Sequence, residues 1–117
     1  RKNDILLLNK NLNNRTKIYE TEIDSKYTSY SVNKGEELVF CLRSKKTTEF
    51  HDINLLMYVA LHEISHLACK EIGHTQLFKD IFEFIVIQAI EINLYKKIDF
   101  EENPTEYCGM TLTSSII

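Results

Sequence analysis

Five residues, His62-Glu63-Ile64-Ser65-His66, constrain this chain more than any other feature, because they set two imidazoles and a carboxylate inside a stretch that otherwise reads as buried helix. Residues 55 to 61 are LLMYVAL, without a single charge, and Leu67, Ala68 and Cys69 continue the apolar character on the far side. On a helix, positions i and i+4 project from one face with Cβ atoms about 5 to 6 Å apart, so His62 and His66 can grip one small ligand. Burying three such polar groups is costly unless something satisfies them. A shuffled chain of the same composition, with 4 His and 12 Glu in 117 residues, would contain the pattern about once in seventy.

A divalent cation satisfies such a set, and zinc suits imidazole nitrogens best, leaving one corner of its tetrahedron to water at a catalytic site. A third protein ligand is then required. His74 lies eight residues after His66 and directly follows Gly73, the residue type that most readily ends a helix in the left-handed conformation and turns the chain back. The rivals are acids on the next helical segment, Glu83 and Glu91, whose plainer reading is as polar interruptions of an apolar helix. Cys69, three residues past His66, would close the site to water as a further ligand and reads more simply as a small buried residue. Glu63 points to a different side of the helix turn from its neighbour His62, which makes it a poor ligand and a suitable general base for an attacking water.

The segment LHEISHLACKEIGHTQLFKDIF resembles the core of the zincin metallopeptidases, in particular the group containing the SprT-like, WLM and YgjP-like domains. In that group HExxH is followed by a short loop and a histidine that precedes a helix bearing Phe or Trp; the corresponding element here is Gly73, His74 and Phe78. The resemblance covers about 25 residues and implies His62, His66 and His74 as zinc ligands and Glu63 as general base. The longer HExxHxxGxxH pattern is not matched, since Cys69 and Ile72 stand where Gly and His would be.

Length and composition fit one small α+β domain spanning residues 1–117, with 44% hydrophobic and 26% charged residues. A short apolar cluster at 4–13 predicts a helical turn or two. Three β-like runs follow at 15–22, 26–32 and 37–44, separated by Asp24-Ser25 and by Asn33-Lys34-Gly35, and predict a three-stranded antiparallel meander. Asp52 caps a predicted motif helix over 53–70, and a second long helix is predicted over 75–96. The tail from Phe100 holds the only Pro and is expected to wrap the domain as irregular chain or a short strand. The run Leu38 to Leu42 is the expected edge strand for an extended peptide, and Tyr107 a candidate to steady a developing oxyanion.

The expected activity is zinc-dependent hydrolysis of peptide bonds in a polypeptide substrate. Two alternatives remain: a catalytically silent, zinc-stabilised interaction module, and, from the resemblance, a SprT or WLM-type protease acting on DNA-linked proteins. A net charge of −3, with no Lys/Arg cluster beyond Lys45-Lys46 and Lys96-Lys97, which read as solvated helix or loop ends, supplies no clear nucleic-acid-binding patch. Three cysteines without CxxC spacing argue for reduced thiols, and with no signal peptide in view the expected location is intracellular and cytoplasmic. No apolar stretch approaches the length that spans a bilayer. The first residue is Arg, so the chain is expected to be part of a longer one.

Overall fold

Three helices and five short strands follow one another in the order α1 (Lys2–Asn11), β1 (Lys17–Glu20), β2 (Tyr30–Val32), β3 (Glu37–Phe40), α2 (Ile53–Ala68), α3 (Gln76–Glu91), β4 (Thr105–Tyr107) and β5 (Met110–Leu112). The computed structural model describes residues 1–22 and 28–116, so the Asp24-Ser25 separator lies outside the described residues.

Local signals start both long helices. The Asp52 carboxylate accepts from the amides of Asn54 and Leu55, and the Thr75 hydroxyl accepts from Phe78, so each first turn has part of its orphan donors met by a side-chain cap. The motif helix α2 stops at Ala68, with Cys69 extended, two residues short of the predicted end. Helix α3 stops at Glu91, where Asn93 enters the left-handed region, five residues short of expectation. These helices pack through Leu61, Phe78, Ile81, Phe82, Ile85 and Val86. Tyr58 of α2 joins this core to a second one, with ring contacts to Phe82, Tyr95 and the fully buried Phe100.

The sheet departs from the predicted meander. Strand β3 is central, paired parallel with β1 and antiparallel with β2, in the order β1-β3-β2. Its central place follows from burial: Leu38 and Val39 are the buried strand residues of this sheet, whereas every residue of β1 is exposed. The expected edge strand, Leu38 to Leu42, is therefore central along 38–40, and among the described residues the outer strand nearest α2 is β2.

The tail forms a hairpin, β4–β5, closed by Cys108 and Gly109 in left-handed conformations. Cys108 is joined to Cys41 by a disulfide across 67 residues, which corrects the expectation of three reduced thiols; Cys69 alone is free, and it is buried. Neither spacing nor count reveals this pair, because the two cysteines meet only through the tertiary fold. Beside the bridge, three hydrogen bonds close a ring: Ser29 donates to the Tyr107 hydroxyl, Tyr107 to the Cys41 carbonyl, and the Cys41 amide to Ser29 Oγ. No helix among the described residues is long and apolar enough to cross a membrane.

Closing a loop of this length stabilises a fold by about 4 kcal/mol, chiefly by restricting the unfolded chain. Thiol titration of the denatured, unreduced protein should find one reactive cysteine per chain and three after reduction, and the Cys41→Ala/Cys108→Ala variant should melt at lower temperature. Three thiols without reductant would refute the bridge.

Candidate metal centre

Helix α2 buries Leu55, Val59, Leu61, Leu67 and Ala68 and leaves His62 and His66 half-buried on the face that borders a cleft of about 790 Å³. After Ala68 the chain runs without regular structure to Thr75. Within that run Gly73 adopts a φ of +86°, well after the helix has ended, so it redirects the loop rather than terminating the helix as predicted. The consequence is the same: His74 is brought back over the motif helix.

The three imidazoles converge. Their ligating nitrogens all lie within 4.8 Å of one another, and the ring centroids form a near-equilateral triangle of 4.9, 5.0 and 5.1 Å. His62 Nε2 stands 3.1 Å from His74 Nε2; two nitrogens each about 2.0 to 2.1 Å from a tetrahedral zinc are spaced similarly. The donor set is all imidazole and sits on the open wall of a cleft, so it fits a zinc that keeps a position for water. Glu83 and Glu91, the rival third ligands, are exposed and outside this group, as is the buried Cys69.

Glu63 lies beside the cluster without joining it. The residue is 5% exposed and lines the same cleft, and its Oε1 stands 3.3 Å from His62 Nδ1. A proton on that Nδ1, held by the carboxylate, leaves Nε2 with a lone pair facing His74. Phe78 backs the whole group: its ring stacks on His66 at 4.1 Å and meets His62 at 5.2 Å and His74 at 5.0 Å. One aromatic wall thus fixes three ring orientations.

Other expectations change. Tyr107 lines the cleft, but its hydroxyl is held in the hydrogen-bonded ring with Cys41 and Ser29, so it secures the hairpin rather than standing free for an oxyanion. Burial pushes this phenol above its ordinary value, which keeps it protonated. Two polar residues escaped the sequence reading. Asn11 donates from Nδ2 to the Leu67 carbonyl, and Lys34 donates from Nζ to the carbonyls of His66, Cys69 and Glu71. Both look like ordinary loop or helix-end residues in sequence, because their partners are more than 30 residues away.

Burial, followed by the neighbouring charges of His62, His74 and Lys34, lowers the His66 pKa to about 4. His74 is lowered too, by burial first and His62 next, with Glu63 pulling the other way. Neutral imidazole is the form that ligates metal, so both rings are ready at neutral pH.

No family model matches the chain. It is 52% identical over 108 residues to the uncharacterized protein R325 of Acanthamoeba polyphaga mimivirus, covering 90% of this chain and 55% of that protein. It is 37% identical over 86 residues to the uncharacterized protein 136R of Invertebrate iridescent virus 6, covering 72% and 48%. The uncharacterized protein 042R of Invertebrate iridescent virus 3 is 35% identical over 101 residues, covering 86% and 58%. The chain thus spans about half the length of the curated relatives it matches. Among solved structures, Wss1 from Saccharomyces cerevisiae superposes with a TM-score of 0.57 at 20% identity, over 65% of this chain and 59% of that one. A Wss1 mutant gives 0.56 at 19%, over 67% and 64%.

A histidine whose folded pKa lies below its unfolded value binds fewer protons folded than unfolded between the two, so stability rises with pH across that interval. The melting temperature of the metal-free chain should therefore fall as pH is lowered from 6.5 towards 4, and fall less steeply in His66→Gln. An equal slope in both proteins would contradict the burial of a neutral His66.

Proposed function

We propose that this chain is a zinc-dependent peptidase domain that hydrolyses peptide bonds in polypeptides, with His62, His66 and His74 as metal ligands and Glu63 as general base. The observation that carries the reading is the convergence of three imidazoles beside a buried carboxylate on the wall of one cleft. The fold likeness to Wss1 supports a relation to the WLM and SprT-like group that the motif resembles.

When bound, zinc supplies Lewis acidity toward a carbonyl oxygen and acidifies water. The chain does the rest. Glu63, held in place beside His62, accepts the proton of the attacking water and passes it to the leaving amine. The low exposure of Glu63 limits competing bulk water. Tyr30 and Ser31 of β2 line the cleft, so a substrate segment lies along β2 rather than along the central β3. Apolar side chains at the cleft, including Val59, Ile72 and Met110, suit an unfolded polypeptide segment.

Casein hydrolysis, metal content and chelator sensitivity test this together. The native chain should carry one zinc and lose activity with a chelator. Glu63→Gln should keep the zinc and lose about 10² to 10⁴-fold in rate, the usual contribution of a positioned base. His66→Ala should lose both. Full cleavage by Glu63→Gln would remove Glu63 from the chemistry, and a zinc-loaded native chain that cleaves nothing would leave a silent interaction module.

A further inference from the structure

We propose that Lys34 is a positioning residue for the metal centre: its ammonium fixes the path of the chain from His66 to His74, and so holds the second and third imidazoles in register. This rests on the reading of the three histidines as a metal site. Lys34 Nζ lies 2.9 Å from the carbonyl oxygen of His66, 3.0 Å from that of Cys69 and 3.0 Å from that of Glu71. An ammonium has three N–H donors, and here all three are spent on main-chain carbonyls that span the start of the ligand loop.

The need for such a device follows from how α2 ends. The last carbonyls of a helix have no partner within it, and Cys69 leaves α2 in an extended conformation that offers no Schellman-type closure. Asn11 takes the Leu67 carbonyl at 2.9 Å; the His66 carbonyl has a long bond of 3.4 Å from the Cys69 amide, and Lys34 adds a shorter one at 2.9 Å. Beyond the helix, among the described residues, the Lys34 bond to Glu71 is the hydrogen bond that reaches the main chain of residues 70–74. A cation at a helix C-terminus also meets the negative end of the helix dipole.

The turn that carries Lys34 is built to aim it. Asn33 and Lys34 have φ of +48° and +51°, a conformation uncommon for lysine, and Gly35 follows at +119°. A Cβ on Gly35 would stand 2.1 Å from the Asn11 carbonyl oxygen, so the turn backbone is pressed against the end of α1. The same turn joins β2 to β3, and Asn33 and Lys34 line the cleft with His66 and His74. One side chain therefore ties the cleft-lining edge strand to the loop that bears the third imidazole.

Cobalt(II) substitution tests this without any assay of hydrolysis, since the visible absorption of the bound ion reports ligand geometry. Lys34→Met keeps the aliphatic stem and removes the donors; it should bind Co²⁺ about 10 to 100-fold more weakly, the scale of losing a group that orients metal ligands, with a weakened or shifted visible band. Lys34→Arg, which keeps the charge but presents its donors in a plane, should recover part of the affinity. Asn11→Ala also frees a carbonyl at the end of α2 but leaves the loop held, so it should lower the melting temperature and keep the native spectrum. Should the methionine variant not fold, Lys34→Gln carries the same comparison. Native affinity and spectrum in Lys34→Met, or an equal disturbance in Asn11→Ala, would overturn the proposal. A native chain that takes up no Co²⁺ would instead sink the metal centre itself.

Discussion

A carboxylate and two imidazoles cannot be buried in an apolar helix without partners, and the fold is organised around supplying them. Helix α2 has to be apolar to pack against α1 and α3, yet it presents His62, Glu63 and His66 within two turns. The solution is a cleft cut beside the core. Its wall brings His74 over the first two rings, keeps Glu63 in contact with His62, and backs the imidazoles with Phe78.

Precision at that wall comes from remote residues that pin α2 at both ends. At its start the Asn54 amide exchanges two hydrogen bonds with the main chain of Lys96. At its finish Asn11 and Lys34 take the carbonyls of Leu67 and His66. The disulfide and the Ser29, Tyr107 and Cys41 ring hold the opposite side of the cleft, where the β4–β5 hairpin meets the sheet. Each of these ties joins segments far apart in sequence, so the site is rigid only when the whole domain is folded.

What could be read in the sequence was what neighbouring residues decide. The motif helix, its Asp52 cap and the return of His74 after Gly73 depend on contacts within about 20 residues, and hydrophobic periodicity with capping chemistry expresses them directly. The order of the strands was not legible, because β1 pairs in parallel with β3 across the intervening β2, a choice set by which strand must be buried. The Cys41–Cys108 bridge and the reach of Lys34 were hidden for the same reason. Their partners are fixed by topology, and a turn of Asn, Lys and Gly looks alike whether its lysine meets solvent or three carbonyls.

The proposed chemistry requires three rings that hold one divalent ion with a corner left open. Anomalous scattering at the zinc edge, from crystals grown with zinc, tests it most directly. One peak per chain is expected about 2.0 to 2.1 Å from a nitrogen of each of His62, His66 and His74, with no protein atom in the fourth position. A map without a peak among those rings, or with Cys69 or an acid of α3 completing the coordination, would contradict it.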